Sequence, residues 1–213
     1  MELSHEELRD LYNNLLTDNV KQGIDKFFQQ DLDDPDYCYK TDCLWKTDQE
    51  LGGVGAYAMP SDPCKNPFPG GEKRSLYRPL QYARSSIDIC DVRKFARDVI
   101  RNSGMHLEAV SRKYIDGRPE KFKEILPKHT MLGRAIQKIN KKDEIEPNIK
   151  KSFEQFVTIY NMSKHEINQD ESRERMFNAK DAIVFYFSAR ILGLYLLRRM
   201  ECEDSFGIYE IKE

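Results

Sequence analysis

The stretch that decides the fold is Asn178-Ala-Lys-Asp181-Ala-Ile-Val-Phe-Tyr-Phe187-Ser-Ala-Arg190-Ile-Leu-Gly-Leu194-Tyr-Leu-Leu197. Asn178 followed three residues later by Asp181 is a helix-start pattern, and the residues after it are apolar on nearly every side. A helix without a polar face must be covered all round. It is therefore the centre of a helical bundle or the seam between two copies of the chain. The run from Ile183 to Leu197 is shorter than the ~20 residues that cross a bilayer and carries Arg190 inside it, so a buried helix is expected and no membrane partner.

Upstream, Phe153-Glu-Gln-Phe156-Val-Thr-Ile-Tyr160-Asn161-Met-Ser-Lys164-His165 sets Phe153, Phe156, Val157 and Tyr160 on one helical stripe. Thr158, Asn161 and His165 fall on the polar flank beside it. Pro147 suits the first turn of this helix, which is expected to run from about residue 147 to 167. A shorter helix is expected from about Thr130 to Lys142, after a turn around Phe122 to Leu126.

Further out, apolar residues from Ile87 to Tyr114 recur at three and four spacings, with Gly104 as a possible kink in a helical region that spans residues 80–115. Leu8, Leu11, Leu15 and Leu16 predict a first helix over about 5–17, opened by a capping box of Ser4 and Glu7. Val20, Ile24, Phe27 and Phe28 predict a second, ended by the turn before Pro35. Residues 31–79 are rich in Pro and Gly and predict a long irregular excursion, held to the helices by Trp45 and several tyrosines. The fold class is thus an all-α bundle of six to eight helices, organised as one domain over residues 1–213.

The 213 residues carry 34 Lys and Arg against 36 Asp and Glu, a formal charge of −2, so any nucleic-acid site has to be a local patch. Five scattered cysteines fit free thiols in a reducing compartment, and the first residues lack the basic and apolar regions of a signal peptide, so a cytoplasmic location is expected. Cys38, Cys43 and Cys64 lack paired zinc-ligand spacing, and Gly53-Val-Gly-Ala-Tyr-Ala58 has no preceding strand to make it a dinucleotide turn. No metal and no cofactor are expected. His106 and His129 have no catalytic partner visible along the chain.

Tyr160-Asn161-Met-Ser-Lys164-His165, followed by a strongly apolar helix, resembles the motif of the HEPN superfamily, helical bundles whose ribonuclease members carry Arg, often Arg-Asn, four to six residues before a His. Gly104-Met-His-Leu-Glu-Ala-Val and the later Leu126-Pro and Leu132-Gly are also similar to that layout, over roughly residues 85–200. The resemblance implies RNA or nucleotide processing with Asn161 and His165 as the catalytic pair. The imidazole would exchange a proton with a ribose 2′-hydroxyl while a cation neutralises the phosphate. Thr158, Ile159 and Tyr160 stand where the family has Arg. The remaining candidates for phosphate contact are Lys164 and the ridge of Arg93, Arg97 and Arg101, repeating at i, i+4. That ridge also reads as a solvated face balanced by Asp91 and Asp98.

Two other functions stay open. One is a non-enzymatic interaction protein that forms a homodimer through the apolar helix 179–200. The other is a Mg²⁺-dependent nucleotide pyrophosphohydrolase using Glu6, Glu7 and Asp10 with Asp31 and Asp34, although those carboxylates equally suit a helix start and a turn.

Overall fold

A computed structural model describes residues 2–30, 41–51, 72–88, 92–122, 131–165 and 176–199, and among these the chain is all-helical. The helices are α1 (Glu6–Asn14), α2 (Asp18–Phe28), α3 (Asp42–Glu50), α4 (Glu72–Asp88), α5 (Val92–Asp116), α6 (Leu132–Lys142), α7 (Pro147–His165) and α8 (Ala179–Arg198). None is long and apolar enough to cross a membrane.

α8 is the centre. Every residue from Asp181 to Arg190 is buried, and only Lys180, Ile191, Tyr195, Arg198 and Arg199 keep appreciable exposure along the described stretch. α5 lies along most of its length, with α1, α2 and α7 on other sides, while α4 flanks α5 and α6 fills the space beside α5 and α7. Phe156 of α7 stacks on Phe185 with ring centroids 3.9 Å apart. Trp45 of α3 meets Tyr186 edge-on at 5.7 Å. The apolar helix is thus covered inside one chain, and its burial does not call for the homodimer through 179–200.

The helix start read at Asn178 is present in full. The Asn178 side chain accepts from the Asp181 backbone N–H, and Asp181 accepts in return from the Asn178 backbone N–H. Asp181 also takes hydrogen bonds from Ser4, at 3.0 Å from its backbone nitrogen and 2.5 Å from its hydroxyl. That contact removes Ser4 from the capping box expected with Glu7. α1 begins one residue later, with His5 at its N-cap and no side-chain cap.

Three other expectations are corrected. The irregular excursion is narrower than 31–79, because α3 and the first two turns of α4, Pro79 included, lie inside it. The helical pattern over 80–115 belongs to two helices, α4 ending at Asp88 and α5 beginning at Val92. The kink in α5 is at Phe95, with φ −108° and ψ 16°, and not at Gly104. Gly104 stays helical and serves close packing instead: a Cβ there would run into the Tyr160 ring.

Polar groups pin α3 to the bundle. Arg190, 1% exposed, donates from Nε to Asp48 Oδ1 at 2.6 Å. Trp45 Nε1 donates to Asp88 at 2.6 Å, Thr41 donates to the same oxygen, and Arg84 lies 3.8 Å over the Trp45 ring while donating to Asp88 at 3.2 Å. A buried charge needs such partners because unpaired it would lose its hydration without return. Close by, the wholly buried His106 donates from Nδ1 to the Leu76 carbonyl at 2.7 Å.

Candidate nucleic-acid interface

Contact between α5 and α7 brings the two separate groups of predicted site residues together. The small side of α5 at Gly104 admits the Tyr160 ring, which is 3% exposed. Lys164, one turn further along α7, lies with Nζ 3.8 Å from the Tyr160 ring centroid. Glu108 of α5 accepts from Arg112 at 2.7 Å and stands 4.0 Å from Lys164 Nζ. Arg97 donates from Nε to the Ser163 carbonyl at 2.9 Å, in the last turn of α7.

This last bond has a plain physical cause. The final carbonyls of a helix have no intrahelical partner and carry a partial negative charge, so cations gather there. The Ser163 hydroxyl folds back on the Tyr160 carbonyl at 2.7 Å, and Lys164 and His165 complete the basic last turn.

The local charge is strongly positive. Arg101 and Arg112 act electrostatically on Tyr160, and Arg101 also acts on Lys164. Burial is the largest cause that pushes the Tyr160 hydroxyl pKa up, with the Glu108 charge adding to it. Lys164 is held below the ordinary lysine value, first by partial burial and then by Arg101, against the opposing pull of Glu108. Among the described residues, four cations thus surround Tyr160 and the adjoining helix end, with Glu108 the carboxylate that pairs with two of them.

The predicted residues are not all equivalent in space. Arg97 is half-buried and bonded to α7, Arg101 is exposed and acts on α7 through its charge, whereas Arg93 is a turn closer to the start of α5 and beyond the kink at Phe95. The i, i+4 ridge is therefore interrupted between Arg93 and Arg97. Asn161 is half-buried and His165 exposed. At about 100° per residue, these two sit roughly a quarter turn round α7 from the Tyr160–Lys164 face.

No protein-family model, curated protein or solved structure matches the chain. The chemistry of the surface alone carries its reading.

Of the carboxylates expected for Mg²⁺, Asp10 is engaged within the fold, while Glu6 and Glu7 stand in the first turn of α1. Asp10 receives Lys151 at 2.9 Å and a bond from Gln155, and its pKa is lowered, first by the Lys151 hydrogen bond. Asp31 and Asp34 lie outside the described residues, as do Cys38, Cys64, His129 and the turn beyond Phe122. Among the described residues, no group of three His, Cys, Asp or Glu side chains could hold a metal.

Two polar clusters went unread along the sequence. One is the Asp48–Arg190 and Trp45–Asp88–Arg84 network. The other joins Tyr114, Arg118 and Lys121 around Asp143, at the turn between α6 and α7. For the first a signal existed, since an Arg within an apolar helix requires a carboxylate or comparable acceptor somewhere in the fold. Nothing in the spacing said which one.

Proposed function

We propose that the α5–α7 surface binds the phosphate backbone of RNA, with Arg97, Arg101 and Lys164 as its contacts and His165 at its edge. One observation carries the reading: Lys164 lies over the buried Tyr160 ring and feels the charge of Arg101, 63 positions away in sequence, while among the described residues Glu108 is the carboxylate that pairs with Lys164. Like charges are costly to hold together, and a bound phosphate relieves that cost. On a chain of net charge −2 a polyanion has to bind through a local patch of this kind, since no general field draws it in.

Binding is favoured over cleavage. In the resemblance-based mechanism the imidazole and the phosphate-neutralising cation act on the same ribose–phosphate unit. Here Asn161 and His165 lie round the helix from Lys164, and the family's Arg position is Thr158, Ile159 or Tyr160.

The test is fluorescence anisotropy with a labelled single-stranded RNA, titrated at about 50 mM and 200 mM salt. Arg101→Ala and Lys164→Ala should each weaken binding several-fold and lower the slope of log affinity against log salt by about one. His165→Ala should leave both unchanged, and the RNA should stay intact. Equal affinity and slope in the wild type and both cation variants would remove the proposal.

A further inference from the structure

α6 and α7 form an antiparallel pair with a groove of about 470 Å³ between them. Gly133, Ile136 and Val157 make its apolar floor, Lys141 and Lys150 flank one end, and Gln137 and Glu154 line the wall between, so the two lysines outnumber the one carboxylate of the lining. Asn140 also lines it, and the side-chain oxygen of Asn140 is buried without a hydrogen-bond partner among the described residues. An apolar trough with cations at one end and a waiting acceptor in its wall is built for a chain segment that is acidic at one end and apolar at the other.

The last turn of α8 lies at the cationic end. Arg199 donates to the Glu144 carbonyl at 2.7 Å, and Tyr195 donates to Glu146, so α8 finishes against the turn that joins α6 to α7. The sequence that leaves α8 there is Met-Glu201-Cys-Glu203-Asp204-Ser-Phe206-Gly-Ile208-Tyr209-Glu-Ile211-Lys-Glu, acidic first and apolar next. The groove follows the same order from that point, with Lys141 and Lys150 first and then Ile136, Val157 and Gly133. Residues 200–213 can span up to ~46 Å when extended, against roughly 12 Å of helix axis from Lys141 to Gly133.

We propose that residues 200–213 of the same chain occupy the α6–α7 groove, their carboxylates on Lys141 and Lys150 and Phe206 and Ile208 on the apolar floor. Attachment at the groove's mouth makes this an intramolecular event, with an effective concentration in the millimolar range or above. An acidic peptide from another protein would have to compete with it. The inference is independent of RNA binding, which uses the opposite end of α7.

The experiment uses the full chain. Zero-length carbodiimide coupling should link Lys141 or Lys150 to Glu201, Glu203 or Asp204 within the monomer. Hydrogen exchange over 205–211 should be at least about threefold slower than in the isolated peptide of the same sequence. In Lys141→Glu/Lys150→Glu that protection should disappear, while the amides of α8 exchange as before. Wild-type exchange over 205–211 at the isolated-peptide rate overturns the proposal whatever the variant does. Cross-links found only between two copies overturn it too, and would make the groove a site for a second molecule.

Discussion

His106 is a histidine that the fold keeps neutral. Its Nδ1 proton is given to Leu76, its Nε2 faces the backbone of α8 at Gly193, where a Cβ would stand 2.7 Å away, and its pKa is held down at about 3. Burial is the main cause, with the Arg190 charge adding to it and the Leu76 bond opposing. Below an unfolded value near 6.5 the open chain takes up a proton that the folded chain refuses, so stability falls as pH drops from about 6.5 towards 3. Urea unfolding of the wild type should lose about 1 kcal/mol more between pH 7 and pH 5.5 than that of His106→Asn, whose amide can still donate to Leu76. Equal losses would show that this ring does not set the slope. Along the sequence His106 was visible only as a polar residue beside Leu107. Its burial depends on α4 and α8, which no local pattern encodes. Ser4 teaches the same lesson in reverse: its spacing to Glu7 was a genuine helix-start signal, overruled by a stronger acceptor 177 positions away.

The elements were more legible than their partners. α1, α2, α6, α7 and α8 follow from apolar residues at three and four spacings, and their boundaries fall close to the expected ones. α3 was missed because Asp42–Glu50 offers few apolar residues and is fastened through Trp45, Asp48 and Thr41 to charged groups on α4 and α8. Hydrophobic periodicity cannot register an anchor made of ion pairs. The α5–α7 surface is a similar case. Its cations could be named from the sequence, but the grouping of Arg97 and Arg101 with Lys164 comes from how closely α5 approaches α7. Gly104 controls that distance. In an isolated helix Ala is better than Gly by about 1 kcal/mol, yet Gly104→Ala would press a methyl into Tyr160 and should cost about 1–3 kcal/mol instead. Thermal unfolding followed by circular dichroism gives the sign directly. A raised midpoint would mean that α5 and α7 have room to spare.

At the scale of the whole molecule, the open question in the sequence was whether the apolar helix sits inside one chain or between two. The buried positions of α8 place it inside. Phe187 is wholly buried and stands edge-on to Tyr186. Phe187→Ala should therefore destabilise the fold by about 3–5 kcal/mol, with a midpoint that does not move with protein concentration. A midpoint that rises with concentration in the wild type and ceases to do so in the variant would restore the seam between two copies. The all-helical class was readable because amphipathic repeats dominate the chain, whereas the tie between the start of α1 and the start of α8 was not, being made by individual hydrogen bonds such as those from Ser4 to Asp181 and from Asn178 to Glu2.

That α8 is the most buried of the described helices and the last of them in sequence has a bearing on synthesis. Until it is made, the sides of α1, α5 and α7 that face α8 stay open, even though these helices also pack on one another and on other neighbours, and the growing polypeptide carries exposed apolar surface. A polypeptide that stops before residue 179 would thus be a product for chaperones and proteases rather than a smaller working protein.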